Sequence, residues 1–383
     1  MRVILLTHNY PRHAGDLPGS FLHPLAVALS NLGHDVRVVA PSDRGHGGRE
    51  PLDSVPVRRV RYAAPEREIL AYTGRMQDEV RSASGLMALR GLIKGMREGA
   101  LAEAAGAEGD VVIHAQWWIP AGLAAPSGFP LVLTLHGTDG RLLQKSMAAR
   151  WMARAVLRRA DVVTAVSRHL ASIVESTTGR EDVTGHVQPM PIESSKRPWS
   201  TGGAGAVVVC RLTAQKRVDL ALRAVAELPK PVPLTVIGDG PERAALEGLA
   251  AAHPGARVSF TGQLPPAEVA ARLGNADVMV FPALGEGLGL SAVEALMAGV
   301  PVVVANDGGG VVEAVQAHGG GIVTAPTPES LAGGIREALT PAVRAAARGA
   351  GERWRTELAP SRVAATFEAW YREALSMTNG TKP

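Results

Sequence analysis

The chain has 383 residues, 46% of them hydrophobic, with 40 basic against 36 acidic side chains and a single cysteine. That length leaves room for two domains with separate cores, and no apolar run approaches the roughly 18 residues that span a bilayer. The near-balanced charge is spread along both halves without basic clusters interleaved with aromatics, which argues against a nucleic-acid partner, and the lone Cys210 excludes an intramolecular disulfide and fits a reducing cytoplasm.

The opening RVILL (2–6) reads as a first strand rather than a signal peptide, because a His-Asn-Tyr-Pro turn follows at once. FLHPLAVALSNLGHD (21–35) predicts a helix stopped by Gly33. Short β-like runs at 35–40, 55–60, 110–115, 131–135 and 161–166 alternate with helical segments, the pattern of a parallel sheet covered by helices. Residues 86–97, LMALRGLIKGMR, mix apolar and basic side chains at helical spacing. An ordinary amphipathic helix on a sheet fits that spacing, and weak association with a membrane surface is the second reading.

Prolines, serines and glycines break the periodicity at 189–205, which reads as a linker. The alternation restarts with strands at 206–210, 233–238 and 257–262 and helices at 218–228, 241–253 and 269–276. The expected boundaries are 1–195 for the first domain, 203–360 for the second, and 361–383 for a closing helix. In that helix Val363, Phe367, Trp370, Tyr371 and Leu375 form an apolar stripe.

Residues 281–313, FPALGEGLGLSAVEALMAGVPVVVANDGGGVVE, are the most informative stretch. DVMVFP reads as a buried strand, LSAVEALMAG as a helix ended by Gly299, and VPVVVA as the next strand. Glu286 and Glu294 flank the turn between strand and helix, with Gly285, Gly287 and Gly289 in it. In open parallel sheets ligands bind at that strand edge, where glycines admit the ligand and a helix N-terminus offers amides to an anion. A lone carboxylate near a helix start is otherwise a cap or a solvated charge.

The whole string resembles the donor-site signature of retaining glycosyltransferases, especially family 4 of the GT-B fold: Glu286, seven residues, Glu294, then Gly299, Pro301, Val302, Val303, Gly309, Gly310 and Glu313. The resemblance implies an α/β fold of two facing, doubly wound Rossmann-like parallel-sheet domains, with the last helix crossing back to the first. It implies no cofactor and no bound metal, only a nucleotide-diphosphate sugar as co-substrate. The acceptor would be a small molecule, a glycan or a lipid.

Arg211 and Lys216 lie five apart after the strand at 206–210. Taken alone they are ordinary solvated loop charges, but the family's Gly-Arg-Leu-x-x-x-Lys-Gly supplies a diphosphate clamp at these positions. Cys210 and Arg217 replace its flanking glycines. Gly238 and Gly240, at a strand-to-helix turn, are expected beside the nucleotide, and Gln263 and Leu264 beside the base. Glu294 would hold the ribose. Glu286 and the backbone of Gly287, Leu288, Gly289 and Leu290 would hold the hexose. In the first domain HGTDG (136–140) matches the family's His-Gly-x-Asp, so His136 is the catalytic candidate there, with Asp139 behind it on the acceptor side. The first loop lacks the family's adjacent glycine pair and carries Gly15 and Gly19 instead. Asp16, between them, is either an acceptor contact or a turn cap. Trp117 and Trp118 either stack on an acceptor or pack in the core.

The expected reaction is transfer from the sugar nucleotide to an acceptor hydroxyl with retention. Rival readings are a nucleotide-sugar epimerase, a silent nucleotide-sugar binding protein, and a hydrolase pairing Glu286 with Glu294 as acid and base.

Overall fold

The computed structural model describes residues 1–74, 76–194 and 197–379. The chain divides into two compact units: Met1–Pro191 with the segment from Pro360 onward, and Ile192–Ala359. The sequence-based boundary at residue 195, like Ser195 and Lys196 of the expected linker and residues 380–383 of the closing helix, lies outside the described residues.

The first unit contains β1 (Arg2–Leu6), α1 (His23–Asn31), β2 (Asp35–Pro41), β3 (Gly48–Leu52), β4 (Val55–Val60), α2 (Met76–Glu79), α3 (Ala83–Ala104), β5 (Val111–Gln116), β6 (Leu131–Leu135), α4 (Gly137–Lys145), α5 (Met147–Arg159), β7 (Val162–Ala165) and α6 (Arg168–Thr178). Its sheet runs β3-β4-β2-β1-β5-β6-β7. All neighbours are parallel except the β3–β4 hairpin. β3, GREPL, is exposed at the sheet edge and almost without apolar residues, so it carries no hydrophobic alternation by which sequence could reveal it. Serine caps start three of the helices: Ser82, Ser146 and Ser167 accept from the amides of Gly85, Ala149 and Leu170.

The second unit contains β8 (Ala206–Val209), α7 (Val218–Ala226), β9 (Leu234–Ile237), α8 (Arg243–Ala251), β10 (Val258–Gly262), α9 (Pro266–Asn275), β11 (Val278–Phe281), α10 (Leu290–Met297), β12 (Val302–Ala305), α11 (Gly310–His318), β13 (Gly321–Thr324), α12 (Pro328–Ala338) and α13 (Pro341–Glu357). Its sheet is wholly parallel in the order β10-β9-β8-β11-β12-β13. β11 and β12 are buried throughout, as continuous Val/Met/Phe runs covered on both faces must be. Chain order reverses between β8 and β11, a topological switch point that leaves a crevice outside the strands' carboxyl ends.

The stretch expected as a linker is in fact packed into the second unit. Ser200 donates its amide to Ala298 O (2.7 Å) and its hydroxyl to Ala276 O (2.8 Å). Asp277 accepts from the amides of Gly203 and Gly205, both at 2.9 Å. The guanidinium groups of Arg348 and Arg355 lie 3.6 and 3.7 Å from the Trp199 ring centroid. Pro and Gly remove helical and strand periodicity, but they do not stop a segment from being tied down by side chains elsewhere in the fold.

The closing helix, α14 (Pro360–Asn379), packs on the first unit against α1. Val363, Phe367, Tyr371 and Ala374 are wholly buried, while Trp370 and Leu375 of the expected stripe sit at its half-exposed margin.

Candidate functional site

In the second unit the loops after β8, β9 and β10 are bonded side by side. Cys210 N donates to Ile237 O (3.1 Å), Leu212 N to Asp239 O (2.9 Å) and Gly238 N to Gly262 O (2.9 Å). This closeness explains two of the expected glycines. A Cβ on Gly238 would fall 1.9 Å from Cys210 O, and one on Gly240 would fall 2.2 Å from Leu212 O. Gly238 also has φ +131°, strained for any L side chain. The two glycines therefore set the backbone that carries Arg211. Gln263, exposed, and Leu264, half-buried, follow directly after β10.

Lys216 and Glu286 come from the two strands flanking the switch point and meet as an ion pair, Nζ to Oε1 2.9 Å, both side chains mostly buried. Gln215, which sequence reasoning passed over, donates to the same Glu286 oxygen at 2.6 Å and to Leu284 O at 3.1 Å. Asp307, after β12, accepts from Gly285 N (2.5 Å) and Gly309 N (2.7 Å), while Gly310 N donates to Glu286 O (3.2 Å). The Gly-Gly pair thus braces the glutamate loop from the next strand. Gly289 has φ +70°, and a Cβ there would meet Val311 Cγ2 at 2.4 Å. Gly287 and Leu288 are buried, and Leu290 opens α10. Ser291 donates to Val209 O (3.0 Å), fixing the start of α10 against β8. The Cys210 thiol is pushed up to about 11 by burial, so it stays protonated.

Glu294 does not join this pair. It receives Arg197 Nη2 at 2.6 Å, and burial raises its carboxyl against that cation's pull. Each glutamate of the motif therefore has its own basic partner, unlike the shared acid–base pair that a hydrolase reading requires.

In the first unit His8, Trp117 and His136 follow β1, β5 and β6, three neighbouring strands. The Trp117 ring lies 4.2 Å from the His136 ring and 4.5 Å from the His8 ring, centroid to centroid, and Phe21 lies 5.3 Å from His136. His136 Nε2 donates to Gln116 Oε1 (2.8 Å), and Gln116 Nε2 donates to His114 Nε2 (2.9 Å). His114 Nδ1 in turn bonds the Tyr371 hydroxyl of α14 at 2.8 Å. A carbonyl oxygen only accepts, so this chain places the His136 proton on Nε2. Burial, reinforced by His8 and His114, lowers His136 to about 3, leaving a neutral imidazole at physiological pH. Neither Gln116, His114 nor Tyr371 carries a motif, and only their meeting in space marks them.

Three acceptor-side expectations are corrected. Trp118 is fully buried and offers no face to a ligand. Asp139 is 2% exposed, and its carboxylate accepts from the amides of His136 (2.7 Å) and Trp118 (3.3 Å). Burial lifts it to about 8 against those two bonds, and its work is to hold the start of α4. Asp16 is gripped by Arg12 through the backbone amide (2.9 Å), Nε (2.7 Å) and Nη2 (2.9 Å). It closes the first loop rather than facing outward. Gly19, with φ +71° and a Cβ position only 2.2 Å from Asn9 O, is required there on both counts, whereas Gly15 is favoured by its φ of +82° alone and has open space around it. Among the described residues no group of three or more His, Cys, Asp or Glu is placed to hold a metal ion.

Residues 191–352 match the model "Glycosyl transferases group 1", and residues 18–189 match "Glycosyl transferase 4-like domain". A glycogen synthase of Mycobacterium tuberculosis is 28% identical over 365 residues, covering 88% of this chain and 86% of that protein. A GDP-mannose-dependent alpha-(1-6)-phosphatidylinositol monomannoside mannosyltransferase of Mycolicibacterium smegmatis is 33% identical over 235 residues, covering 53% and 60%. Sucrose-phosphate synthase from Thermosynechococcus elongatus superposes with a TM-score of 0.77 at 19% identity, over 98% of this chain and 100% of that one. Two doubly wound sheets, a lysine–glutamate pair at the second sheet's switch point, and two family models that between them span most of the sequence lead to one assignment: the chain belongs to the group 1, family 4-like glycosyltransferases of the GT-B fold.

Proposed function

We propose that this glycosyltransferase moves a sugar from a nucleotide-diphosphate sugar to an acceptor hydroxyl, with retention at the anomeric carbon and without a bound metal. The observation that carries the reading is the Lys216–Glu286 pair, 2.9 Å long, where β8 and β11 part. A donor diphosphate brings about two negative charges and gains more as it leaves. Lys216, released from Glu286, and Arg211 on the same loop neutralise that charge without a cation. A phosphate oxygen takes the place of the carboxylate on Lys216, so the cation is not left unpaired by the exchange. The exchange also frees the Glu286 carboxylate for the hydroxyls of the hexose, while Gln215 keeps it oriented. The amides of Gly287 to Leu290 hold the same sugar, Glu294 the ribose, and the backbone at Gln263 and Leu264 the base. Gly238 and Gly240 keep the clamp loop at its position.

In the proposed front-face route, the bond from anomeric carbon to phosphate oxygen breaks through an oxocarbenium-like state. The departing oxygen takes the acceptor proton as the acceptor oxygen bonds on the same face. His136 contributes a neutral imidazole and Trp117 an apolar ring. The acceptor is a small molecule, a glycan or a lipid, and the single cysteine suits a reducing cytoplasm. A named relative uses GDP-mannose, which supports a sugar nucleotide as donor.

Incubation with UDP-, GDP-, ADP- and TDP-sugars in the presence of a chelator, followed by proton NMR of the product's anomeric coupling, tests this. Retained configuration with chelator present is the expected result. Inverted product, loss of turnover on chelation, an isomerised sugar, or binding without turnover would each overturn it.

A further inference from the structure

Residues 140–160 contain Arg141, Lys145, Arg150, Arg154, Arg158 and Arg159 and no acidic residue. This one stretch, running through α4 and α5, carries more net charge than the +4 of the whole chain. α5 buries Ala149, Ala153, Val156 and Leu157 against its unit. Its opposite face is not polar. Met147 is 82% exposed, Trp151 73% and Met152 38%. Met147, Trp151 and Ala155 recur every four residues and so form one stripe, and Arg150, Arg154 and Arg158 form the stripe beside it. Arg150 is turned inward, donating to Leu143 O (2.6 Å) and Gln144 O (2.8 Å). Arg154 and Arg158 remain exposed at the margin of the apolar stripe.

α3 extends the basic face. Its Arg97 donates to Leu123 O (2.9 Å), next to Gly122, whose carbonyl accepts from Arg159 at 2.6 Å. Lys94 and Arg90 precede it on the exposed side. The 86–97 segment, read from sequence as weakly surface-seeking, is therefore the lesser part. Its Lys94 is already offset by Glu98 at 3.8 Å, whereas α5 contains no acid at all.

We propose that the exposed face of α5, with Arg97 of α3 beside it, docks this protein on an anionic phospholipid surface. A protein partner selects by interlocking charges of both signs and a shaped pocket. A field of one sign, with adaptable methionines and an exposed indole, instead matches anionic headgroups over acyl chains. The helix lies in the interface plane, its Met and Trp reaching the acyl boundary and its arginines the headgroups. No helix among the described residues is long and apolar enough to cross a membrane, so attachment of this kind is peripheral and sensitive to salt.

The test is co-sedimentation of the full chain with vesicles of phosphatidylcholine containing about one-third phosphatidylglycerol. The protein pellets with these, stays in solution with pure phosphatidylcholine, and is released by 0.5 M salt, where the Debye length falls to about 4 Å. Met147→Ser with Trp151→Ser, and separately Arg154→Ser with Arg158→Ser, each weaken partitioning by about tenfold. Circular dichroism and turnover of a sugar nucleotide stay unchanged in both variants. Absence of binding, equal binding to neutral vesicles, or binding unaffected by both double substitutions overturns the proposal. So does a dimer seen by analytical ultracentrifugation that the Trp151 variant abolishes. Vesicle binding needs no donor, so its failure is separable from failure of the transferase reading.

Discussion

The polar residues of the two units are kept ready in opposite ways. In the second unit Lys216, Glu286 and Gln215 form a charged cluster whose members remain partly exposed, so their pairing can be exchanged for a ligand's. In the first unit His114, Gln116, His136 and Asp139 are buried and bonded to one another or to backbone. Burial holds His114 and His136 near 3 and Asp139 near 8, so all three are uncharged around neutrality. One unit stores charge for a charged substrate, and the other stores geometry. A clamp must change partners on binding, which an ion pair still reached by solvent can do when a phosphate replaces the carboxylate. An orienting group must not move, which a buried network enforces.

The largest expected effect falls on the charged side. Lys216→Ala lowers kcat by about 10², or ~2.7 kcal/mol of barrier, because transition-state charge loses its counterion. Steady-state kinetics of the purified variant decides it, and an unchanged kcat would remove the clamp from the mechanism.

The buried side is sharpened by pH. The folded values of His114 and His136, near 3, lie below the ordinary 6.5. The unfolded chain therefore takes up protons first, and stability present above about pH 6.5 is lost as pH falls toward 3. At pH 5 each imidazole costs about 2 kcal/mol. Asp139 has the opposite sign: its folded value near 8 is above the ordinary 3.8. Its contribution is full at low pH and is lost as pH rises from about 4 to 8. Stability measured by urea titration should peak near pH 6.5, and Asp139→Asn should remove the decline above that point. A flat profile from pH 5 to 8 would mean that the three groups are not held neutral.

The smallest effect is that of the relay. Gln116→Leu leaves His136 Nε2 without its acceptor and lowers kcat by about tenfold, while Gln116→Glu, which keeps an oxygen there, recovers most of it. Long-range nitrogen NMR of labelled histidine should show the His136 proton leaving Nε2 in the Leu variant alone. An unchanged tautomer would show that Gln116 does not orient the ring.

The second unit was the more legible in sequence. Its strands are short apolar runs, and its functional loops are punctuated by glycines that the backbone itself needs, as the close approach of Gly238 to Cys210 O shows. Local steric demands leave local marks. The first unit left fewer. HGTDG flagged His136 and Asp139, yet nothing local showed that Asp139 would turn to the His136 and Trp118 amides, or that Trp118 would be wholly buried while Trp117 keeps 9% of its surface exposed. The β3 edge strand, exposed and without apolar alternation, was likewise invisible, and so was the packing of residues 197–205, whose partners lie far along the chain.

By itself the sequence determined the α/β class, the division into two units, the return of the last helix, and the residue types at the second sheet's crevice. The class, the division and the residue types follow from hydrophobic period, glycine placement and charge spacing, all properties of neighbouring residues, whereas the return of the last helix was implied by the family resemblance. Only the tertiary structure decided that Glu286 pairs with Lys216 while Glu294 pairs with Arg197, that Tyr371 reaches His136 through His114 and Gln116, and that Trp151 and Met147 stay outside. Those are matters of which side chains meet after distant segments are brought together, and no spacing along the chain encodes them.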